Sequence, residues 1–238
     1  MRIEVLAGAD EVATRAARWL AAAARAAIAE RGRFVVAVSG GRTPWQMLRA
    51  LAEEELPWSA IQLFQVDERV APAGDPDRNL THLRACLPGP ARLPPGNLHP
   101  MPVEDPDLPA AAARYGRELA AVAGAPPVLD VVHLGLGPDG HTASLVPGDP
   151  ALEITGADVA LTGSYAGRAR MTLTFPALDR ARAVLWVVTG AGKAAALRRL
   201  LAGDRALPAG RVRAAGALVL ADRAAAADLD PLGDGGVP

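Results

Sequence analysis

Residues 33–44 read Arg-Phe-Val-Val-Ala-Val-Ser-Gly-Gly-Arg-Thr-Pro, and this stretch decides the fold. After the arginine, the run to residue 38 is apolar and rich in β-branched side chains, which is typical of a parallel strand buried on both faces. Two glycines then break the strand, and Pro44 suits the first turn of a helix, which we predict over residues 45–55. A strand, a glycine-rich turn and a helix in this order predict a βα unit.

The same alternation extends along the chain on both sides of this unit. We predict a helix over residues 10–30, with Asp10 as its N-cap and Gly32 as its end. Three further helices are predicted at 80–87, 110–122 and 192–201. Strands are predicted at 61–66, 129–134, 157–162, 170–175, 183–188 and 217–220.

Strands that alternate with helices predict the α/β class, with a mostly parallel sheet and helices on both faces. We expect one Rossmann-like domain over residues 1–223, since no linker divides the chain. Residues 88–109 contain eight prolines and are expected to form an irregular excursion. The tail over residues 224–238 is rich in Ala, Asp, Gly and Pro and is expected to be flexible.

Composition excludes several classes of partner. With 25 basic and 26 acidic residues, the net charge of −1 gives no electrostatic footprint for nucleic acid or an acidic membrane. The single cysteine, Cys86, cannot form an internal disulfide or a cysteine-based metal cluster, which fits a reduced, cytoplasmic protein. No apolar run reaches the roughly 18 residues that a membrane span needs, and the N-terminus lacks a signal-peptide layout.

In a parallel α/β sheet, ligands bind beyond the carboxyl ends of the strands, so the loops at those ends are where we expect chemistry. The loop formed by Ser39, Gly40, Gly41, Arg42 and Thr43 lies between a buried strand and a helix N-terminus. Its glycines let backbone N–H groups approach an anion closely, and the helix dipole adds favourable potential. The loop therefore predicts a phosphate site, although an ordinary tight βα turn would use similar residues.

A second loop follows the strand predicted at 61–66, and we expect it to extend over the polar stretch 67–79. It begins with Asp67, Glu68 and Arg69, three charges directly after an apolar run. They are candidate ligand-binding residues, although a solvated loop with a local ion pair is an equal alternative. Asn79 could reach the same site or cap the next helix.

A third loop follows the strand predicted at 129–134 and matches G-x-G-x-x-G over residues 135–140. We reject a dinucleotide site, because the helix that should follow is too short and no acidic residue ends a strand about twenty positions later. Instead, the turn presents Asp139 and His141, and His141 is a candidate general base. His133 lies within a strand and is expected to pack in the core. His82 and His99 have no such context.

The fourth loop, 189–193, follows the clearest strand and opens a helix with Lys193, which is the only lysine among 25 basic residues. An ammonium at a helix N-terminus is electrostatically unfavourable unless an anion shares the site. A phosphate would resolve that conflict, since lysine binds phosphate as a point charge. The alternative is a surface lysine that is there by chance.

Together these loops resemble the 6-phosphogluconolactonase family over roughly residues 5–222. The most specific match is Gly-Pro-Asp-Gly-His-Thr-Ala-Ser-Leu within the third loop. The matching stretches occur in the family's order, at 39–44, 67–69, 135–145, 170–174 and 188–193.

Glucosamine-6-phosphate deaminase, from the same superfamily, is the alternative. The deaminases carry Asp-Glu-Tyr where this chain has Asp-Glu-Arg, so that a tyrosine stands in place of Arg69. They also carry an Asn-Glu pair where this chain has Ser144-Leu145. The chain therefore lacks the ring-opening carboxylate that a deaminase needs. It departs slightly from the lactonase pattern at Val146, at Val70-Ala71 and at Arg78, which bears on loop packing.

The resemblance implies hydrolysis of 6-phospho-D-glucono-1,5-lactone by a monomer without metal or cofactor. His141 would be the general base, Asp139 would orient it, and Arg69 would stabilise the oxyanion. The substrate's phosphate would lie on residues 39–43, with Lys193 and Arg170 neutralising it. Further substrate-binding residues would be Asp67, Glu68, Asn79 and Gly137. A third possibility is a non-catalytic sugar-phosphate sensor, which usually carries a DNA-binding domain that is not found here.

Overall fold

The structure is a computed structural model that describes residues 1–89, 91–213 and 216–229. Its strands are β1 Arg2–Leu6, β2 Phe34–Val38, β3 Ile61–Gln65, β4 Asp67–Arg69, β5 Leu98–His99, β6 Val131–Leu134, β7 Val159–Tyr165, β8 Arg168–Leu173, β9 Ala183–Val188 and β10 Leu218–Asp222. Its α-helices are α1 Ala9–Arg31, α2 Arg42–Ala52, α3 Asn79–Cys86, α4 Leu108–Ala123, α5 Phe175–Asp179, α6 Ala194–Leu201 and α7 Pro208–Arg211.

Seven strands form one sheet in the order β1-β10-β9-β6-β2-β3-β5, and every neighbouring pair is parallel. Strand β2 lies inside it and is buried along its whole length. Val35 and Ala37 belong to one hydrophobic core, whereas Phe34, Val36 and Val38 belong to the core that α1 and α2 cover. Helices therefore lie on both faces of a parallel sheet, and the predicted α/β fold is confirmed.

A smaller antiparallel sheet, in the order β4-β8-β7, stands beside the main one. The expectation of a loop beginning at Asp67 was wrong here, because residues 67–69 are strand β4 and pair with Arg170–Thr172 of β8. Because residues 67–69 are all charged, they lack the apolar pattern from which strands are predicted. The partner that satisfies its backbone is about a hundred residues away in the chain.

Other boundaries differ for local reasons. The N-cap of α1 is Gly8 rather than Asp10, while its end at Gly32 has φ 75° as expected of a glycine stop. The proline-rich stretch contributes β5, a two-residue edge strand that the prolines obscure. Strand β1 was not predicted. It lies at the other edge of the sheet and is only partly buried, so its apolar signal is weak.

The last described residues pack on the body of the protein. Ala225 is fully buried, and Leu229 packs against the same core. The remainder of the expected flexible tail, residues 230–238, lies outside the described residues. In the part of the chain that the structure describes, no helix is long and apolar enough to cross a membrane.

Candidate active site

The loops after β2, β4, β6 and β9 meet at the carboxyl edge of the main sheet and enclose two adjoining cavities. The larger one, of about 780 Å³, is here called the wide cavity. The smaller one, of about 180 Å³, is called the inner pocket. Gly40, Gly135, Leu136 and Lys193 line both, so the two cavities form one continuous cleft.

The predicted site residues converge on this cleft. The inner pocket is lined by Ser39, Gly40, Asp67, Arg69, Asn79, Gly137, His141, Arg170 and Lys193. The wide cavity is lined by Gly40, Gly41, Arg42, Thr43 and Lys193. Of the residues predicted from the sequence, Asp139 and Glu68 do not line either cavity.

Asp139 holds His141 through two contacts. Its Oδ1 accepts a bond from the His141 ring Nδ1 at 2.6 Å and another from the His141 backbone N–H at 3.2 Å. Burial opposes a charge on Asp139, but these bonds and the charge of the His141 ring outweigh burial and lower the pKa of Asp139. An ionised carboxylate can only accept, so Nδ1 carries the proton and Nε2 is left as the basic nitrogen.

The glycines of the third loop make this arrangement possible. Gly140 has φ 83°, a conformation that side chains disfavour, and it closes a turn back to Gly137 with an N–O distance of 3.0 Å. A Cβ atom on Gly137 would lie 2.1 Å from His141 Nδ1 and 2.5 Å from Asp139 Oδ1. Gly137 therefore serves the site by having no side chain.

Tyr165, at the end of β7, is a site residue that sequence reasoning missed. Its hydroxyl donates to Asp139 Oδ2 at 3.3 Å, and its ring meets the His141 ring edge-on with centroids 5.2 Å apart. Arg170 lies over the same tyrosine ring, 5.1 Å from its centroid. Nothing in the local pattern of the sequence marks Tyr165, because its partners come from other loops.

Arg69 and Arg170 face each other across the β4–β8 ladder. Arg69 Nη1 donates to the carbonyl of Asp77 at 2.9 Å and to Asn79 Oδ1 at 2.5 Å. Arg170 is 4.0 Å from Asp67 Oδ2. Burial is the main cause that lowers the pKa of Arg170, and the charge of Arg69 adds to it. Two like charges side by side destabilise a ladder, so this wall favours a bound anion.

Glu68 is fully buried and is hydrogen-bonded to the backbone of residues in this wall. Its carboxylate accepts from the backbone N–H groups of Arg69, Asn79 and Leu80 at 2.7–2.9 Å and from the Gln65 side chain at 2.9 Å. Its oxygens are thus occupied by the protein itself. The sequence predicted Glu68 as a substrate-binding residue, and the structure places it outside the cleft.

The loop at residues 39–43 runs along the boundary of the two cavities. Ser39 donates its hydroxyl to the His133 carbonyl at 3.0 Å, and its backbone N–H donates to His133 Nδ1 at 3.2 Å. Thr43 and Thr189 share a hydrogen bond of 2.7 Å between their hydroxyls. Gly41, with φ 134°, caps α2, so the start of an eleven-residue helix points at the wide cavity.

Lys193 caps α6 after a short 3-10 turn, Ala191–Lys193, and lines both cavities. Burial lowers the pKa of Lys193, while the charge of Asp139 acts in the opposite direction. A half-buried ammonium at the start of a helix meets an unfavourable dipole. The sequence predicted that the single lysine lies at the start of a helix after the strand at 183–188, and the structure places it there.

Two other histidines, His133 and His99, lie in structural settings. His133 is fully buried, as expected, and burial lowers its pKa to about 3. His99 is stacked on Phe64 and bonded to Glu118 and Gln62. Over the described ranges, no group of three or more His, Cys, Asp or Glu side chains is arranged to hold a metal ion.

Residues 144 and 145 test the deaminase alternative. The Ser144 hydroxyl donates to Asp67 Oδ2 at 2.6 Å, and Leu145 is fully buried in the core. At the position where the deaminases carry an acidic residue, this chain therefore packs an apolar side chain, that of Leu145. The carboxylate nearest to His141 is that of Asp139, which is committed to holding the histidine.

The fold and the cleft define an α/β protein with a cation-lined cleft at the carboxyl edge of a parallel sheet. Residues 7–220 match the family described as glucosamine-6-phosphate isomerases/6-phosphogluconolactonase, and the chain belongs to that family.

Three relatives illustrate the match. The chain is 40% identical over 213 residues to a 6-phosphogluconolactonase of Synechocystis, covering 86% of this chain and 88% of that one. It is 39% identical over 241 residues to a 6-phosphogluconolactonase of Mycobacterium tuberculosis, covering 95% and 98%. The solved structure of the 6-phosphogluconolactonase from Trypanosoma brucei superposes with a TM-score of 0.85 at 28% identity, covering 96% and 98%.

Proposed function

We propose that the protein hydrolyses 6-phospho-D-glucono-1,5-lactone to 6-phosphogluconate, a step of the oxidative pentose phosphate pathway. The observation that carries this proposal is the Asp139–His141 pair, which places a basic imidazole nitrogen at an inner pocket walled by cations. Membership of the family and likeness to proteins named 6-phosphogluconolactonase support it.

The reaction needs one base and one site for negative charge. His141 Nε2 takes a proton from the water that attacks the lactone carbonyl carbon, C1. Asp139 keeps the ring oriented and stabilises the imidazolium that forms. The carbonyl oxygen becomes an oxyanion, which Arg69 stabilises from a guanidinium already fixed by Asn79. The bond from C1 to the ring oxygen then breaks, and the imidazolium returns its proton to that oxygen.

The phosphate binds at the wide cavity. The start of α2 and the backbone of residues 40–43 supply N–H donors there, and Lys193 and Arg42 supply the charge. Arg170 is within the inner pocket and neutralises the ligand from the other side, as the repulsion between Arg69 and Arg170 favours. Asp67 and Asn79 complete the wall and contact the sugar hydroxyls.

We also propose that the enzyme works as a cytoplasmic monomer without metal or cofactor. All of the side chains invoked above come from one chain, and its single cysteine, Cys86, is buried and unbridged. Light scattering at working concentration checks the monomer, and activity that persists in a chelator checks the absence of a metal requirement.

The decisive experiment is an assay panel on the purified protein. We expect freshly generated 6-phosphogluconolactone to be hydrolysed far faster than in buffer, and glucosamine 6-phosphate to release no ammonia. Ammonia release would favour the deaminase. A melting shift with 6-phosphogluconate but no lactone turnover would identify a sensor and contradict the proposal.

A further inference from the structure

The hairpin β7–β8 brings a phenol to the far side of the Asp139 carboxylate. His141 binds Oδ1, whereas the Tyr165 hydroxyl donates to Oδ2 at 3.3 Å. The two oxygens of Asp139 are thus hydrogen-bonded to groups on different elements, since Tyr165 comes from β7 and His141 from the loop after β6. A carboxylate held through both oxygens has one orientation in which to meet the imidazole.

We propose that Tyr165 is a positioning residue for hydrolysis, which fixes the Asp139 carboxylate against His141 and withdraws part of its negative charge. The inference rests on the proposed function, in which His141 is the base. A donor to Oδ2 stabilises the ionised carboxylate and weakens its pull on the protonated imidazole.

The surroundings define which charges act on the pair. Lys193 faces Asp139 from the turn before α6, and Arg170 faces Tyr165 from β8. Burial and the charge of Asp139 raise the pKa of Tyr165, so the phenol keeps its proton at neutral pH and stays a donor. The hydroxyl is therefore the one neutral donor described on the Oδ2 side of Asp139.

Tyr165 has a second link, to Arg170. The guanidinium stacks over the tyrosine ring at 5.1 Å, and Nη2 donates to the Tyr165 carbonyl at 3.3 Å. A cation held over an aromatic face loses freedom without losing charge. The hydroxyl therefore acts on the base, whereas the ring acts on a cation of the binding wall.

The hairpin turn sets the position of both groups. Ala166 and Gly167 have φ 51° and 81°, the left-handed pair that joins two strands in the tightest hairpins. Tyr165 and Arg168 flank this turn and pair with each other. The turn thus places Tyr165 at the last position of β7, where the strand reaches the cleft.

Tyr165→Phe tests the hydroxyl while keeping the ring. We expect kcat to fall about three- to tenfold with KM within about twofold, because the change acts on the base and not on binding. The acid limb of the pH profile should move to higher pH, since a carboxylate without the phenol stabilises the imidazolium more. Tyr165→Leu also removes the stacked ring, so KM should rise as well.

Ser164→Ala is the matched control, because it removes an exposed hydroxyl beside Tyr165 on β7 without altering the turn, and its kinetics should be those of the wild type. A Tyr165→Phe enzyme with unchanged kcat and acid limb, or with a change in KM alone, would overturn the proposal. The titration of the His141 ring, followed by NMR and assigned with His141→Gln, gives a readout without substrate. If the wild type itself fails to hydrolyse the lactone, the proposed function fails, and a shifted ring titration in Tyr165→Phe still decides the role of Tyr165.

Discussion

The inner pocket and the wide cavity share a wall but are built differently. Around the inner pocket the functional side chains hold one another, as in the chain from Arg170 through Tyr165 and Asp139 to His141. Around the wide cavity the donors are a helix start and backbone N–H groups, and the positive charge comes from the half-buried ammonium of Lys193 together with Arg42 and Arg49. The first arrangement suits a proton transfer that needs precise geometry, and the second suits a phosphate that needs charge.

The largest effect should follow from removing the base. His141→Ala should lower kcat about 10²- to 10⁴-fold, the range that a positioned general base contributes. The affinity for 6-phosphogluconate, measured by calorimetry, should change little, because the wide cavity is intact. Wild-type turnover in this variant would show that the division between the two cavities is wrong.

A smaller loss should follow from a methyl group at position 137. The Cβ of Gly137→Ala would overlap His141 Nδ1 and Asp139 Oδ1, so one of them must move. We expect kcat to fall about 10- to 100-fold, since small misplacements of catalytic groups have effects of that order. Gly156→Ala is the control away from the cleft, where a Cβ would meet nothing within 4 Å. Equal losses in both variants would remove the special role of Gly137.

Lys193→Ala tests the wide cavity, as the two preceding variants test the inner pocket. Losing a charged hydrogen bond to phosphate should raise KM about 10- to 100-fold, from the usual ~1.5–3 kcal/mol of such bonds. The value of kcat at saturation should stay within a few-fold. Lys193→Arg should recover part of the loss. A change confined to kcat would instead place Lys193 in the chemistry of the inner pocket.

The smallest effect is on stability. Burial lowers the pKa of His133 to about 3, whereas an unfolded histidine titrates near ~6.5, so the unfolded chain binds the extra proton between these values. Stability should therefore fall as pH drops from 7 to 5, with a contribution of about 1–2 kcal/mol from His133. Urea unfolding of the wild type and His133→Asn at both pH values measures it. If the unfolding free energies of the two proteins fell equally between pH 7 and pH 5, His133 would not be held neutral in the folded state.

Much of this cleft could be predicted from the sequence. Each of the four loops follows a strand, and parallel strands bring their carboxyl ends to one edge, so Ser39, Asp67, His141 and Lys193 could be expected to meet. The parallel sheet itself follows from runs such as Phe34–Val38, which are apolar on both faces. Local pattern and topology were sufficient for these parts.

What could not be predicted depends on contacts between distant segments. Glu68 looks like a ligand-binding residue in the sequence, but its partners Asn79 and Leu80 turn it inward. Strand β4 exists because β8 pairs with it, and Tyr165 matters because of Asp139, 26 residues away. Such roles are properties of pairs, and one residue's type and spacing carry no signal of them.

The order of strands in the main sheet has a consequence for biosynthesis. Strand β1, made first, pairs with β10, which is made last and lies between β1 and β9. Asp222, at the end of β10, also accepts hydrogen bonds from the Gly190 backbone N–H in the loop that carries Lys193. On the ribosome, the nascent chain therefore cannot complete this sheet or fix the loop that carries Lys193 until residue 222 has emerged, and β1 stays without its partner strand until then.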